Sequence, residues 1–555
     1  MANDGKSDIG HSHTRNSISP ADGGAKTSIM RRMNKLDLNP QFQQALAEIE
    51  QGKHVFITGR AGTGKSTLLQ YFRDRTKKKM AVLAPTGVAA VNVGGQTIHS
   101  FFGFKPDITA DKVRKEYKNR SRRGLYKNLE AIVIDEISMV RADLLDCVDE
   151  FLRLNGRARQ LPFGGIQMIF VGDLYQLPPV VRGEDRKIFS RLYPTPYFFS
   201  SKVMNTLQFS LVELTKIYRQ TDDDFIDILN AVRNNTVEEK HLAALNKRLQ
   251  PDFRPDDGGL FVHLTTTNAG AEAVNNRHLL QLPGKIFSYQ GEIDGEFGAA
   301  SLPAPTELVV KPEAQVMLVN NDRAGRWING TMGKIIKIKR KGDGDCLMVQ
   351  IDSGKTEKVY PHTWEMFRYK FNPDTNRLES ETVGSFTQYP VILAWAITIH
   401  KSQGKTFERL IIDMERGAFT HGQTYVALSR CTSLEGLILK KPIKKGHIWA
   451  DWQVMKFLSE FQHRKANLEM PVAEKTEVIR RAVASGGRLE IVYLKTNDQK
   501  SRRVIEPKKI GTMKYVGKSF LGVEAFDHLR GEERVFRVDR ILKLLTISPA
   551  ETAGN

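Results

Sequence analysis

The residues best placed to do chemistry stand in three short stretches. Gly59-Arg60-Ala61-Gly62-Thr63-Gly64-Lys65-Ser66 has the G-x-x-x-x-G-K-S spacing of a phosphate-binding loop. Glycines let backbone N–H groups turn inward around phosphates, Lys65 reaches the β and γ oxygens, and the Ser66 hydroxyl is a Mg²⁺ ligand. Gly59, Ala61, Gly62, Thr63, Gly64, Lys65, Ser66 and Thr67 are the expected nucleotide cradle. Asp135-Glu136 closes the apolar run Ala131–Ile134. In a phosphate-loop enzyme Asp135 holds Mg²⁺, directly or through water, and Glu136 orients and deprotonates the attacking water. Two acids at the mouth of a strand are costly unless a cation sits there. Gln176, within Gly172–Pro179, is placed to sense a γ-phosphate.

These groups need rigid elements to position them. His54–Thr58 reads as an apolar strand entering the loop, and Thr67–Arg73 as a helix whose positive end faces the phosphates. Met80–Ala84 and Met168–Val171 read as buried parallel strands. The loop Pro85–Ala90 then lies where open α/β sheets place ligands. Upstream, Leu38–Glu50 has helical apolar spacing and glutamines at 41, 43 and 44. One of these is a candidate for the adenine edge, although a solvated helix face is the commoner meaning. His99, Phe101 and Phe102 follow Thr97; such aromatics stack on unpaired bases or fill a core. Between Lys112 and Lys127 eight basic residues face one acid, Glu116. The run is either a solvated face or an inserted arm touching phosphates.

A second α/β pattern begins near Val212–Thr215 and continues through Phe261–Leu264, Val391–Leu393 and Leu410–Asp413. Only one of the two halves carries a phosphate loop. A lobe without one commonly supplies arginines across a cleft, for which Arg219 and Arg430 are the candidates. Residues 302–385 break into short β-like pieces, 464–474 are polar, and 475–545 form a basic β-rich unit.

The 555 residues are enough for several domains. Lys and Arg number 83 against 63 acids, a formal charge of +20, which favours a polyanionic partner, nucleic acid first. Cys147, Cys346 and Cys431 are far apart, which argues for a reducing compartment and against a zinc or disulfide framework. No apolar run of about 18 residues and no apolar N-terminal segment is present, so a soluble intracellular protein without a membrane partner is expected.

The ordered set Gly59–Ser66, Ala84–Ala90, Asp135–Met139, Leu161–Gln167 running into Gly172–Pro179, Tyr218–Gln220, Ala396–Phe407 and Tyr425–Arg430 resembles superfamily-one helicases. More narrowly, it resembles the PIF-type helicases related to RecD. That resemblance implies ATP-driven 5′→3′ movement on single-stranded DNA, with unwinding of tailed, forked and G-quadruplex DNA in replication, recombination or repair. Carried over, Lys65, Ser66 and Asp135 bind Mg²⁺ and ATP, and Glu136 is the base. Gln176 couples nucleotide state to DNA, Arg219 and Arg430 are arginine fingers, and Gln403 faces the nucleotide. Thr86, His99, Thr398, His400 and Lys401 line the DNA path. Phe42 lies close to where the family's glutamine is expected.

The C-terminal unit is similar to WYL domains at Tyr493, Arg502-Arg503 and Phe536–Ile541, with Ser519-Phe520-Leu521 where the name-giving triplet would stand. It implies a bacterial origin and a site for single-stranded nucleic acid.

The expected class is therefore α/β, with two RecA-like parallel-sheet lobes, a small SH3-like β insertion and a C-terminal SH3-like domain. The expected boundaries are a disordered tail at 1–35, a first lobe at 36–205 with the basic insertion at about 104–127, and a second lobe at 206–301 and 386–450. The insertion spans 302–385, a linker 451–474, the WYL-like domain 475–545 and a tail 546–555. A monomeric, cytoplasmic, nucleoid-associated bacterial motor fits this organisation. The rival readings are an ATP-switched nucleic-acid-binding regulator acting through the C-terminal domain, and a translocase that strips proteins without unwinding.

Overall fold

The computed structural model describes residues 38–547, apart from 118–122, 182–184, 221, 256–258, 299–301, 323, 341–344, 373, 376, 415–417, 419, 496–498 and 516. The expected N-terminal tail, most of the C-terminal one, and Lys118, Arg120 and Arg122 of the basic run lie outside the described residues.

The first lobe is built on a parallel sheet of six strands. Their order is Gln96–Thr97, Met80–Ala84, Ala131–Ile134, Gln167–Val171, His54–Gly59 and Phe209–Leu214. Successive residues of the phosphate-loop strand serve opposite faces, as the two-residue strand period requires. Phe56 packs with Ile132, Ile134 and Phe170 on one side, while Val55 and Ile57 pack with Val133, Ile169 and Val171 on the other. Burial of both faces explains why these strands read as continuous apolar runs.

The strand expected to open the second lobe instead closes this sheet. Phe209–Leu214 pairs in parallel with His54–Gly59, Val212 beside Ile57. The first sheet therefore extends beyond residue 205, and its edge strand leads directly to Tyr218–Gln220.

The second lobe has four parallel strands, in the order Ala396–Thr398, Val262–Thr265, Leu410–Ile412 and Leu437–Leu439. Val391–Leu393, expected among them, pairs antiparallel with Gln315–Leu318 as the edge of a five-stranded sheet. A three-residue apolar strand carries no period that would separate the two settings.

That five-stranded sheet is one part of the β insertion, which is larger than 302–385. Phe287–Gln290 pairs with Glu307–Val310, and Glu292–Gly295 joins the long hairpin His362–Asn372 and Arg377–Gln388. The hairpin lies on the first lobe: Tyr369 sits 5.9 Å from Phe101, and its hydroxyl accepts from Val82 N at 3.4 Å. Phe101 and Phe102 are fully buried, so they are core and do not stack on bases.

The stretch expected as a linker is helical. Trp452–Glu469 is a helix with Asp451 as its cap, and Val472–Ser485 is another. The polar residues of 464–474 are the outward faces of these helices. A five-stranded antiparallel sheet follows, its last strand running to Ile547, into the expected tail. Among the described residues no helix is long and apolar enough to cross a membrane.

Candidate active site

The phosphate loop closes on itself through left-handed glycines. Gly62 and Gly64 have φ of 78° and 82°, and a Cβ on Gly62 would stand 2.5 Å from Arg219 Cβ. Side chains are excluded there by both backbone and neighbour. Gly64 precedes the helix Lys65–Arg75, so Lys65, Ser66 and Thr67 form its first turn, with Ser66 and Thr67 exposed. Lys65 Nζ donates to Gly59 O at 2.8 Å and Arg60 O at 2.9 Å. Burial lowers its pKa, opposed by the negative charges of Asp173 and Glu136.

The acid pair ends the strand Ala131–Ile134. Glu136 has φ 50° and ψ 43°, a conformation that non-glycine residues hold only where the surroundings impose it. Its N–H donates to Asp135 Oδ1 at 2.9 Å. Burial raises the pKa of Asp135, and burial followed by the charge of Asp135 pushes Glu136 up to about 7. Among the described ion pairs neither carboxylate takes part. An acid pair of this kind, with Asp135 buried and Glu136 half-buried, suits a hard cation with oxygen ligands. Among the described residues no group of three or more His, Cys, Asp or Glu side chains converges to hold a metal alone. Mg²⁺ needs no such group, since phosphates and waters complete its shell.

The second lobe closes over these groups. Gln403 Nε2 lies 3.4 Å from Glu136 Oε2 and 3.3 Å from Gln176 Oε1. Gln176 is buried and donates to Asp173 Oδ2 at 3.4 Å. Arg219 donates to Ser429 O at 3.1 Å across the boundary. Arg430 is buried but turned onto its own lobe, donating to Val426 O at 2.9 Å and Ser429 Oγ at 2.8 Å. Burial and then the nearby Arg219 depress its pKa, the state of a buried cation facing too little negative charge.

Two cross-lobe contacts had no counterpart in the sequence reading. Arg233, the last residue of the helix Asp223–Arg233, pairs with Asp173 at 3.2 Å with both side chains buried, and stacks 4.0 Å over Tyr175. The Tyr425 hydroxyl oxygen accepts from Ala61 N at 2.9 Å, directly on the phosphate loop. Arg233 looks in sequence like any basic residue in a last helical turn. Tyr425 lies within Tyr425–Arg430, where its residue type alone points to no role.

Beside the loop, Asn39 Nδ2 donates to Tyr218 Oη at 3.0 Å, and Phe42 lies 6.5 Å from the Tyr218 ring. A Cβ on Gly64 would come within 3.0 Å of Phe42 Cζ, so these side chains wall the entrance. The Gln43 and Gln44 amides are exposed and donate locally, to Leu38 O and Glu48 Oε1, each at 2.8 Å.

The five DNA-path candidates lie on or beside loops of the two lobes, and His400 O accepts from Gln403 N at 3.2 Å. Thr86 is exposed and caps the helix Gly87–Asn92, and His99 is half-buried, its pKa lowered by burial. His400 and Lys401 are exposed on the loop after Ala396–Thr398. Thr398 is buried, its hydroxyl accepting from Lys401 N at 3.2 Å, so it shapes that loop. A polar chain joins the two loop regions: Asn329 of the insertion donates to Asn92 Oδ1 at 2.8 Å and accepts from Lys405 Nζ at 2.5 Å. In the basic run, Lys112 pairs with Asp107, and Arg114 with Asp111 and Glu150. Those two bases are therefore engaged by local acids.

A family model described as PIF1-like helicase matches residues 37–242, and one described as WYL domain matches 474–545. The chain is 34% identical over 418 residues to the ATP-dependent DNA helicase Pif1 of Bdellovibrio bacteriovorus, covering 73% of this chain and 88% of that protein. It is 34% identical to human ATP-dependent DNA helicase PIF1, spanning 62% of that longer protein and 74% of its own length. Among solved structures, Bacteroides Pif1 in complex with ADP-AlF4 superposes at TM-score 0.70 with 36% identity, covering 77% of this chain and 98% of the other. Bacteroides Pif1 bound to single-stranded DNA superposes at 0.57 with 37% identity, covering 76% and 96%.

Proposed function

The chain belongs to the PIF1-like helicase family, and on that premise we propose that it is an ATP-dependent DNA helicase moving 5′→3′ on single-stranded DNA. The observation that carries this reading is the meeting of Gln403 with Glu136 and Gln176 across the lobes. Through that contact, closure of the second lobe bears directly on the group that activates water.

Lys65 and the loop amides of residues 59–67 bind the phosphates, and Lys65 exchanges its carbonyl partners for phosphate oxygens. Ser66 and Asp135 would hold Mg²⁺, which supplies charge neutralisation at the transferring phosphoryl group. Glu136 takes the proton of the attacking water. Its raised pKa keeps it a competent base near neutral pH. Gln176 registers the γ-phosphate, and Gln403 carries that state to the second lobe. Arg219 and Arg430 meet the developing charge, Arg430 by leaving its own backbone carbonyl. The lobes close with ATP and open after hydrolysis, alternating their grips on the strand.

Thr86 and His99 belong to the first lobe's grip, and His400 with Lys401 to the second, with Thr398 shaping that loop. Contacts to phosphates and base faces suit a motor that must pass every sequence. Tailed and forked duplexes, and G-quadruplex DNA, are the substrates this reading implies. A monomer acting at the nucleoid of a bacterial cytoplasm is its setting.

ATP hydrolysis measured with and without single-stranded DNA tests the reading. Strong stimulation is expected; hydrolysis indifferent to DNA would contradict it.

A further inference from the structure

The C-terminal domain is anchored on one lobe and touches the other. Its leading helix, Trp452–Glu469, lies on the first lobe, where Phe457 stacks on Phe199 at 4.3 Å and Phe461 on Phe209 at 5.1 Å. Val454 and Leu458 are buried in the first lobe's core. The domain's first two strands, Arg488–Leu494 and Lys500–Tyr515, are joined by a hairpin that Lys495 N closes onto Gln499 O at 2.8 Å. From this hairpin Lys500 Nζ pairs with Glu213 Oε2 at 3.0 Å. The adjacent Gln499 Nε2 donates to Thr236 Oγ1 at 3.3 Å.

The two gripped residues belong to different lobes. Glu213 is in the edge strand of the first sheet, directly beside Thr58 at the entry to the phosphate loop. Thr236 follows Arg233, the second-lobe residue paired with Asp173. Burial raises the pKa of Glu213, and the charges of Lys500, then Arg233 and Arg60, outweigh it and lower the pKa.

We infer that the Gln499–Lys500 hairpin is an interlobe strut, through which the C-terminal domain holds the nucleotide cleft closed and restrains its reopening. The aromatic stacking and the Lys500–Glu213 pair fix the domain to the first lobe, so the Gln499–Thr236 contact spans a boundary that opening must stretch. Lys500 is partly exposed, so this anchor on the first lobe is screened, and the strut biases the lobes without locking them. A strut that favours the closed form tightens ATP binding and slows release. Its removal raises both KM for ATP and kcat, whereas structural damage lowers kcat.

The inference rests on the helicase reading for its enzymatic readout. In the full-length chain, Lys500→Glu and Gln499→Ala are compared with wild type in single-stranded DNA-stimulated hydrolysis, with thermal melting as the check on folding. Both kcat and KM are expected to rise about two- to five-fold in Gln499→Ala, which removes the spanning contact, and in Lys500→Glu, where repulsion from Glu213 lifts Gln499 off Thr236. High salt should bring wild type toward Lys500→Glu. Unchanged kcat and KM in both variants, or a fall in kcat, overturns the strut. If wild-type hydrolysis is not stimulated by DNA, the helicase reading falls instead. The strut is then judged by energy transfer between dyes on the two lobes, where Lys500→Glu should lengthen the mean separation and an unchanged separation overturns it.

Discussion

Gln403 of the second lobe holds its side-chain amide 3.4 Å from the Glu136 carboxylate of the first. Because Glu136 comes from the mouth of a first-lobe strand and Gln403 from a loop of the other sheet, the acid's surroundings depend on lobe position. Gln403→Ala should therefore lower DNA-stimulated hydrolysis while leaving nucleotide-free DNA binding unchanged. DNA-stimulated hydrolysis at the wild-type rate would show that the contact carries no coupling.

The pKa of Glu136 makes this site pH-dependent in a definite direction. Burial and the adjacent Asp135 push it up to about 7. A carboxyl raised in the folded state binds its proton more tightly there than in the unfolded chain. Its contribution to stability is present below the usual carboxylate range and is lost as pH rises through about 7. Glu136→Gln mimics the protonated form, so without nucleotide it should match wild type near about pH 4 and melt higher near about pH 8. Turnover in that variant should fall on the order of 10²–10⁴-fold, and the wild-type kcat/KM should rise with pH through about 7. Equal melting temperatures at both pH values would place Glu136 in a more solvated setting.

Lys65→Ala removes the one lysine of the phosphate loop. Hydrolysis should drop on the order of 10²-fold or more, with single-stranded DNA affinity retained. Parallel loss of DNA binding would indicate that the loop is structural for the whole lobe.

Arg233 and Asp173 are both buried and lie in different lobes. Arg233→Met leaves a buried carboxylate without its partner, at a cost of about 3–5 kcal/mol. A thermal shift in the unfolding that involves the lobe boundary reads this out. A negligible shift would mean that water reaches Asp173.

Much of this site was legible because its chemistry has fixed spacing. The phosphate loop, the acid pair and Gln176 each follow a strand, and the parallel sheet brings such strand ends to one edge. Lys65, Glu136, Gln176, Gln403, Arg219 and Arg430 accordingly surround one cleft. What stayed hidden depends on tertiary placement. Phe209–Leu214 and Val391–Leu393 are apolar strands that would suit either sheet, so their assignment needed pairing partners. Arg233 and Tyr425 gain meaning only when the lobes meet. The helix Trp452–Glu469 was masked by its polar outward face, its apolar side being visible only against Phe199 and Phe209.

The exposed Lys401 offers a separate test of the DNA path. Lys401→Ala should weaken single-stranded DNA binding equally across sequences and reduce the slope of log K against log salt by about 0.7. An unaltered slope would take Lys401 off the phosphate track.

Directional movement driven by ATP is measured most directly by unwinding of forked duplexes bearing a single 5′ or a single 3′ tail. Strand separation from the 5′ tail alone, dependent on ATP and absent in Glu136→Gln, is the result predicted. Separation from the 3′ tail, or stimulated hydrolysis with no separation from either, would contradict it.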